Sequence, residues 1–216
     1  MTQILVLPDW SLLAPFLVAA LALNLTPGVD MTYVLARSVS QGRPAGLLSA
    51  LGIATGSLVH TLAAAIGLSA LLLHSQAAFL AVKYAGAAYL LYLAWRALRD
   101  GHGAATAAAG RPAATLGRVY AEGVLINVMN PKVALFILAF LPQFVDPAKG
   151  QVAAQIVLLG TLFNIGGTAV NCAVAWAGSA AGRRLKASAG FDRALRWLSA
   201  TVFAGLAIHL AVSERG

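Results

Sequence analysis

The sequence predicts an all-α membrane protein of six transmembrane helices, built as two inverted three-helix repeats with helices 1 and 4 broken. Three observations predict it. Of 216 residues, 60% are hydrophobic and only 10% charged, with a mean hydropathy of +0.80, whereas a water-soluble domain carries about 25% charged residues. The apolar residues gather into six stretches. Two of these, the first and the fourth, contain a proline at matching positions. At about 20 residues per span, six spans take more than half of the chain and leave room only for a single membrane domain, residues 1–216.

The stretches run roughly Leu12–Ala36, Ala45–Leu73, Phe79–Trp95, Val119–Leu141, Val152–Ala177 and Leu195–Val212. The first could pass for a signal peptide, with Ala20-Leu21-Ala22 resembling a cleavage site. Residues 1–11, however, hold Asp9 and no Lys or Arg, whereas a secretory leader begins positively charged, so the segment is read as a mature helix. The second and fifth stretches exceed the minimum span and must tilt or protrude. Between the third and fourth lies Gly101–Gly117, rich in Ala, Gly, Thr and Pro, a composition that buries little and reads as a flexible linker.

Sliding the second half of the chain over the first by 104 positions brings Pro27 onto Pro131, Gly46 onto Gly150, Gly56 onto Gly160 and Gly86 onto Gly190. Three of the seven glycines between positions 28 and 86 thus meet a glycine. The repeats span about 11–98 and 119–213, joined by a linker of about 99–118. A three-helix repeat has an odd number of crossings, so its second copy enters the membrane upside down. Transporters of that architecture bind their cargo at the repeat interface, near the midplane.

Basic residues set the orientation. Arg37 and Arg43 follow helix 1; Arg96, Arg99, Arg111 and Arg118 follow helix 3; Arg183, Arg184, Lys186, Arg193 and Arg196 follow helix 5. Against these eleven, the opposite side has Lys83, Lys149 and Arg215, and Lys132 lies within a span. The expected topology has both termini outside the cytoplasm and the linker inside. Because the basic residues lie between apolar runs, the net charge of +8 and pI near 10.3 do not indicate a nucleic-acid partner. The single cysteine, Cys172, sits in an apolar run and reads as a packing residue; no cofactor and no Cys/His zinc spacing are legible.

Chemistry concentrates at the two breaks. In Asn24-Leu25-Thr26-Pro27-Gly28-Val29-Asp30, Pro27 removes a backbone donor and Gly28 loosens the helix further. Backbone groups freed at that depth need protein, a wet cavity or a ligand to receive them. Asn24 and Thr26 can satisfy some; Asp30 is a costly carboxylate that needs a partner or a proton. The counterpart is Asn127-Val128-Met129-Asn130-Pro131-Lys132, in which Asn130-Pro131 favours a break and Lys132 places a cation within a turn of it. Half-helices starting at these prolines point positive ends into the protein, suited to a carboxylate. An acid in one repeat and a base in the other match the two ends of a zwitterion; a buried ion pair is the other reading.

Thr26-Pro27-Gly28, the series Gly42, Gly46, Gly52, Gly56, the stretch Lys83-Tyr84-Ala85-Gly86-Ala87-Ala88-Tyr89-Leu90, and Asn130-Pro131-Lys132 through Leu141-Pro142-Gln143-Phe144 resemble the LysE/RhtB family of bacterial amino-acid exporters. The resemblance covers nearly the whole chain. It implies a multi-pass protein of the bacterial inner membrane that drives amino acids or close derivatives out of the cytoplasm by proton or ion exchange. It does not fix the amino acid. One departure is visible: the family commonly reads Pro-Gly-Pro, and here Val29 stands in place of the second proline, so a gentler break is expected.

His60 in helix 2 falls on Asn164 in helix 5 under the same offset, which suggests either a shared lining role or interhelical hydrogen bonds. Glu122 reads as a carboxylate near a helix start, and Asn171 as a helix-to-helix hydrogen-bonding residue. His74, His102 and His209 are too scattered for a metal cluster. Gly52-x-x-x-Gly56 and Gly178-x-x-x-Gly182 permit close helix approach, within the subunit or across a homodimer. A metal-ion exporter is the alternative function, but it wants several intramembrane carboxylates or cysteines, and only Asp30 is well placed. A thiol-electron carrier lacks its cysteine pair, and no nucleophile–base arrangement indicates an enzyme. The expected partners are therefore an amino acid, a coupling ion and lipid.

Overall fold

Pro27 and Pro131 set the architecture. In the computed structural model, which describes residues 8–74, 76–100, 113–181 and 189–212, α1 (Trp10–Leu25) ends just before Pro27, and α2 (Val29–Gln41) leaves the break bent by 48°. Thr26 takes the extended conformation required before a proline, and its hydroxyl donates to Ala22 O at 2.7 Å. The second break repeats the device. α5 (Leu116–Val128) stops at Met129, and α6 (Pro131–Leu135) begins with proline at its first position, where a missing N–H costs nothing. Asn130 caps it by accepting from Lys132 N at 3.0 Å. The bend is again 48°. Beyond α6 the chain runs through a π turn, Phe136–Phe140, and a 3₁₀ turn, Leu141–Phe144.

The other helices are α3 (Arg43–His74), α4 (Gln76–Asp100), α7 (Val152–Ala181) and α8 (Ala189–Val212). Among the described residues the protein is all-helical apart from turns. By length and composition α3 and α7 are each fit to cross a membrane, and each bent pair qualifies when joined, giving up to four spans. The apolar part of α8, Arg196–Val212, is shorter. The linker expected over 101–117 lies largely outside the described residues, as do Gly182 and Ser213; its last two positions, Leu116 and Gly117, already belong to α5. Arg37, expected in a loop, is inside α2 and buried, because the helix continues past its apolar portion to Gln41.

α3 packs along α5 and α7, α2 lies on α3 and α7, α1 on α7, and α4 pairs with α8. Small residues allow the closest approach. A Cβ at Gly52 would sit 2.3 Å from Tyr120 O, and one at Gly56 would sit 2.8 Å from Val124 O. Gly52 and Gly56 therefore serve a contact within the subunit. The outer surface carries exposed apolar side chains such as Val18, Ile66, Leu125, Ile165 and Ile208, as a protein solvated by lipid requires.

Two apolar cores lie on either side of the breaks. The larger joins α1, the π turn, the 3₁₀ turn and α7 through Phe16, Phe136, Phe140, Phe144 and Phe163, with Phe136 stacked on Phe163 at 4.7 Å between ring centroids. The smaller joins Tyr33 and Val34 of α2 with Ala50, Ile53 and Ala175. Along α3, Ile53 belongs to one core and Ala64 to the other; along α7, Phe163 and Ala175 are likewise divided. Between these marks lie the polar residues Ser57, His60 and Thr61 of α3 and Asn164, Thr168 and Asn171 of α7, several of which face the breaks.

Candidate functional site

Each proline leaves one carbonyl without its helical donor, since the N–H four residues on is missing. For Pro27 that carbonyl is Leu23 O. The Lys132 ammonium donates to it at 3.3 Å and to Thr26 O at 2.9 Å. For Pro131 it is Asn127 O, which accepts from Asn130 N at 2.9 Å and faces His60 Nε2 at 3.0 Å; the carbonyl can only accept, so the imidazole nitrogen is the donor. Gly28 makes room for the lysine, because a Cβ there would lie 3.2 Å from Lys132 Nζ. The second broken helix thus holds the loose backbone of the first, and His60 of α3 holds that of the second.

Asp30 sits in the first turn of α2 and is buried, where the helix N-terminus favours a negative charge. Asn127 Nδ2 donates to Asp30 Oδ2 at 2.8 Å, which joins α5 to α2. Asp30 Oδ1, Asn127 Oδ1 and the hydroxyl of Ser57 on α3 are buried without a hydrogen-bond partner. Such atoms each cost about 1–3 kcal/mol unless something reaches them.

A cavity of about 30 Å³ opens at this level, enough for one or two waters. Asn24, Thr26, Asp30, Asn127, Lys132 and Asn164 line it. Its remaining wall is partly polar, with Ser57, Thr168 and Asn171, and partly apolar, with Met31, Ile53, Val133 and Phe163. His60, Asn130, Pro27, Gly28 and Pro131 are not in the lining and act on the backbone around it. Asn24 Nδ2 donates to Phe163 O at 3.1 Å, with its amide packed against Gly166 and Gly167 of α7. Asn164 Nδ2 donates to Ala54 O at 3.2 Å. His60 and Asn164 therefore both make interhelical hydrogen bonds, and Asn164 alone of the two also lines the cavity.

Three features escape sequence reasoning. Ser57 and Thr168 are small hydroxyls in apolar helices and give no signal. Asn171, expected only to hold helices together, lines the cavity. Glu122 does more than occupy a helix start: it accepts from Arg37 at 2.6 Å, from Arg118 at 2.9 Å and from Tyr33 OH at 3.1 Å, tying α2 to α5 beside the smaller core. Among the described residues no three of His, Cys, Asp and Glu are placed to hold a metal ion.

Residues 21–214 match the family described as LysE type translocator. The chain is 32% identical over 163 residues to an uncharacterised membrane protein of Bacillus subtilis, YrhP, covering 72% of this chain and 77% of the relative. It is 32% identical over 146 residues to the homoserine/homoserine lactone efflux protein of Salmonella typhimurium, covering 66% of this chain and 69% of the relative. To the leucine efflux protein of the same organism it is 30% identical over 150 residues, covering 69% and 71%. No solved structure matches.

Proposed function

The chain belongs to the LysE type translocator family, and from that membership we propose that it exports amino acids or close derivatives from the cytoplasm, as a secondary transporter coupled to proton or ion exchange. The observation that carries the reading is the cavity at the meeting of the two breaks, whose lining holds one acid, Asp30, and one base, Lys132. The efflux proteins of homoserine and leucine among its relatives make an amino acid the natural occupant. Asp30 handles the ammonium or the coupling cation, and Lys132 receives the carboxylate. Asn24, Thr26, Asn127 and Asn164 supply polar wall, while Asn130 and His60 hold the second break. A cavity of about 30 Å³ is too small for an amino acid, so loading requires the half-helices to part.

In the membrane we propose six spans in two inverted repeats, both termini outside and the linker in the cytoplasm of a bacterial cell. Arg43 at the start of α3, Arg96 and Arg99 near the end of α4 and Arg118 at the start of α5 support that orientation. The metal-ion alternative is not favoured, since Asp30 is the single carboxylate in the cavity lining. Two experiments test the reading. Purified protein in liposomes should exchange labelled leucine or homoserine across the bilayer. In a Cys172→Ala background, an impermeant thiol reagent on intact cells should fail to label a cysteine placed in the linker; labelling there reverses the orientation.

A further inference from the structure

Three buried oxygens beside the breaks have hydrogen-bonding capacity that the fold leaves unused: Asp30 Oδ1, Ser57 Oγ and Asn127 Oδ1. They come from α2, α3 and α5, and all three residues line the same cavity. The bond from Asn127 Nδ2 to Asp30 Oδ2 fixes which end of the amide is free, because only the nitrogen can donate to a carboxylate. The carboxylate and amide oxygens can only accept, and the hydroxyl accepts as well. Three buried acceptors on residues that line one cavity, one of them a carboxylate, outnumber the one unpartnered donor beside them at the second break, Asn130 Nδ2, and a primary ammonium carries three hydrogens.

We propose that Asp30, Ser57 and Asn127 form the subsite for the substrate's α-ammonium, and that the cavity thereby selects amino acids with uncharged side chains. The inference rests on the export reading. Its second half follows from charge. Among the described residues, Asp30 and Lys132 are the only charged ones in the lining. Lys132 spends two of its three hydrogens on Leu23 O and Thr26 O, which leaves one for a carboxylate. A zwitterion therefore uses both counter-charges. The rest of the wall is apolar at Met31, Ile53, Val133 and Phe163, or neutral amide and hydroxyl. A side-chain charge would enter a layer between two apolar cores with nothing to balance it.

The test uses the full chain in proteoliposomes and counterflow of labelled leucine, homoserine, lysine and glutamate. Lysine and glutamate should exchange at least about 50-fold less efficiently than the neutral pair. Lysine moving as well as leucine overturns the inference while export stands; no movement of any amino acid overturns export and the inference with it. Ser57→Ala, which removes one oxygen from a small side chain, isolates the subsite. It should raise the half-saturation concentration for leucine about tenfold while leaving inhibition by 4-methylpentanoate, which is leucine without its ammonium, unchanged. Equal weakening of both ligands would make Ser57 merely structural, and an effect confined to the sodium dependence of exchange would assign the oxygens to a coupling ion. Either result overturns the proposal.

Discussion

Lys132 reaches from one broken helix to Leu23 on the other, its ammonium 3.3 Å from the carbonyl that Pro27 deprives of a helical donor. The same ammonium takes Thr26 O at 2.9 Å. A cation in an apolar protein is here first of all a cap for a helix that stops inside it. Replacing it leaves Thr26 O without that donor, leaves Leu23 O with only the Thr26 N–H at 3.2 Å, and takes the nearby positive charge from Asp30. Lys132→Met should therefore lower stability by about 1–3 kcal/mol, read as an earlier unfolding transition in detergent.

Pro27→Ala restores the N–H that Leu23 O lacks, so the helix can continue through the break and compete with Lys132. The 48° bend should relax. Spin labels at the exposed positions Val18 and Ser40 should move apart, and exchange should fall while the protein stays in the membrane. An unchanged distance would mean that tertiary packing, not the proline, holds the bend.

The Arg37–Glu122 pair, 2.6 Å apart, has its arginine 4% exposed and its glutamate 26% exposed. Removing Arg37 breaks the pair and leaves Glu122 with Arg118 and Tyr33 alone. A fully buried pair so broken costs about 3–5 kcal/mol; solvent at Glu122 reduces this to roughly 2 kcal/mol for Arg37→Met. Adding Glu122→Gln should recover part of the loss. Strict additivity in that double-mutant cycle would show that the two charges do not couple.

Gly52→Ala places a methyl 2.3 Å from Tyr120 O, a backbone atom that cannot step aside, and should destabilise by at least about 2 kcal/mol as α3 and α5 separate. Gly205 in α8 has nothing within 4 Å of its would-be Cβ. Gly205→Ala should be neutral or stabilising by up to about 1 kcal/mol. The contrast separates close packing from a general intolerance of substitution.

Much of this architecture is legible in the sequence because its causes are local. Pro27 and Pro131 interrupt a helix whatever surrounds them, and apolar runs long enough to span announce themselves. What is not legible depends on partners far along the chain. Nothing in Asn130-Pro131-Lys132 says that the lysine binds Leu23 O, over a hundred residues away. Arg37 looks like a loop cation because the apolar run ends at Ala36, yet α2 continues and Glu122 receives it. Ser57 is one hydroxyl among many small residues, and becomes notable only when its oxygen is found buried beside Asp30 and Asn127. The π turn Phe136–Phe140 carries no glycine or proline to mark it and shows only in the folded chain.

Exchange of labelled leucine or homoserine by the Asp30→Asn, Lys132→Ala double variant in proteoliposomes decides whether this acid and this base carry the substrate. Asp30→Asn keeps an oxygen for Asn127 Nδ2 and so removes charge with little change of shape. If the two breaks carry the substrate between this acid and this base, the double variant inserts and purifies but exchanges at background. Wild-type rates from the same preparation would mean that the pair only stabilises the fold and that the amino acid passes elsewhere.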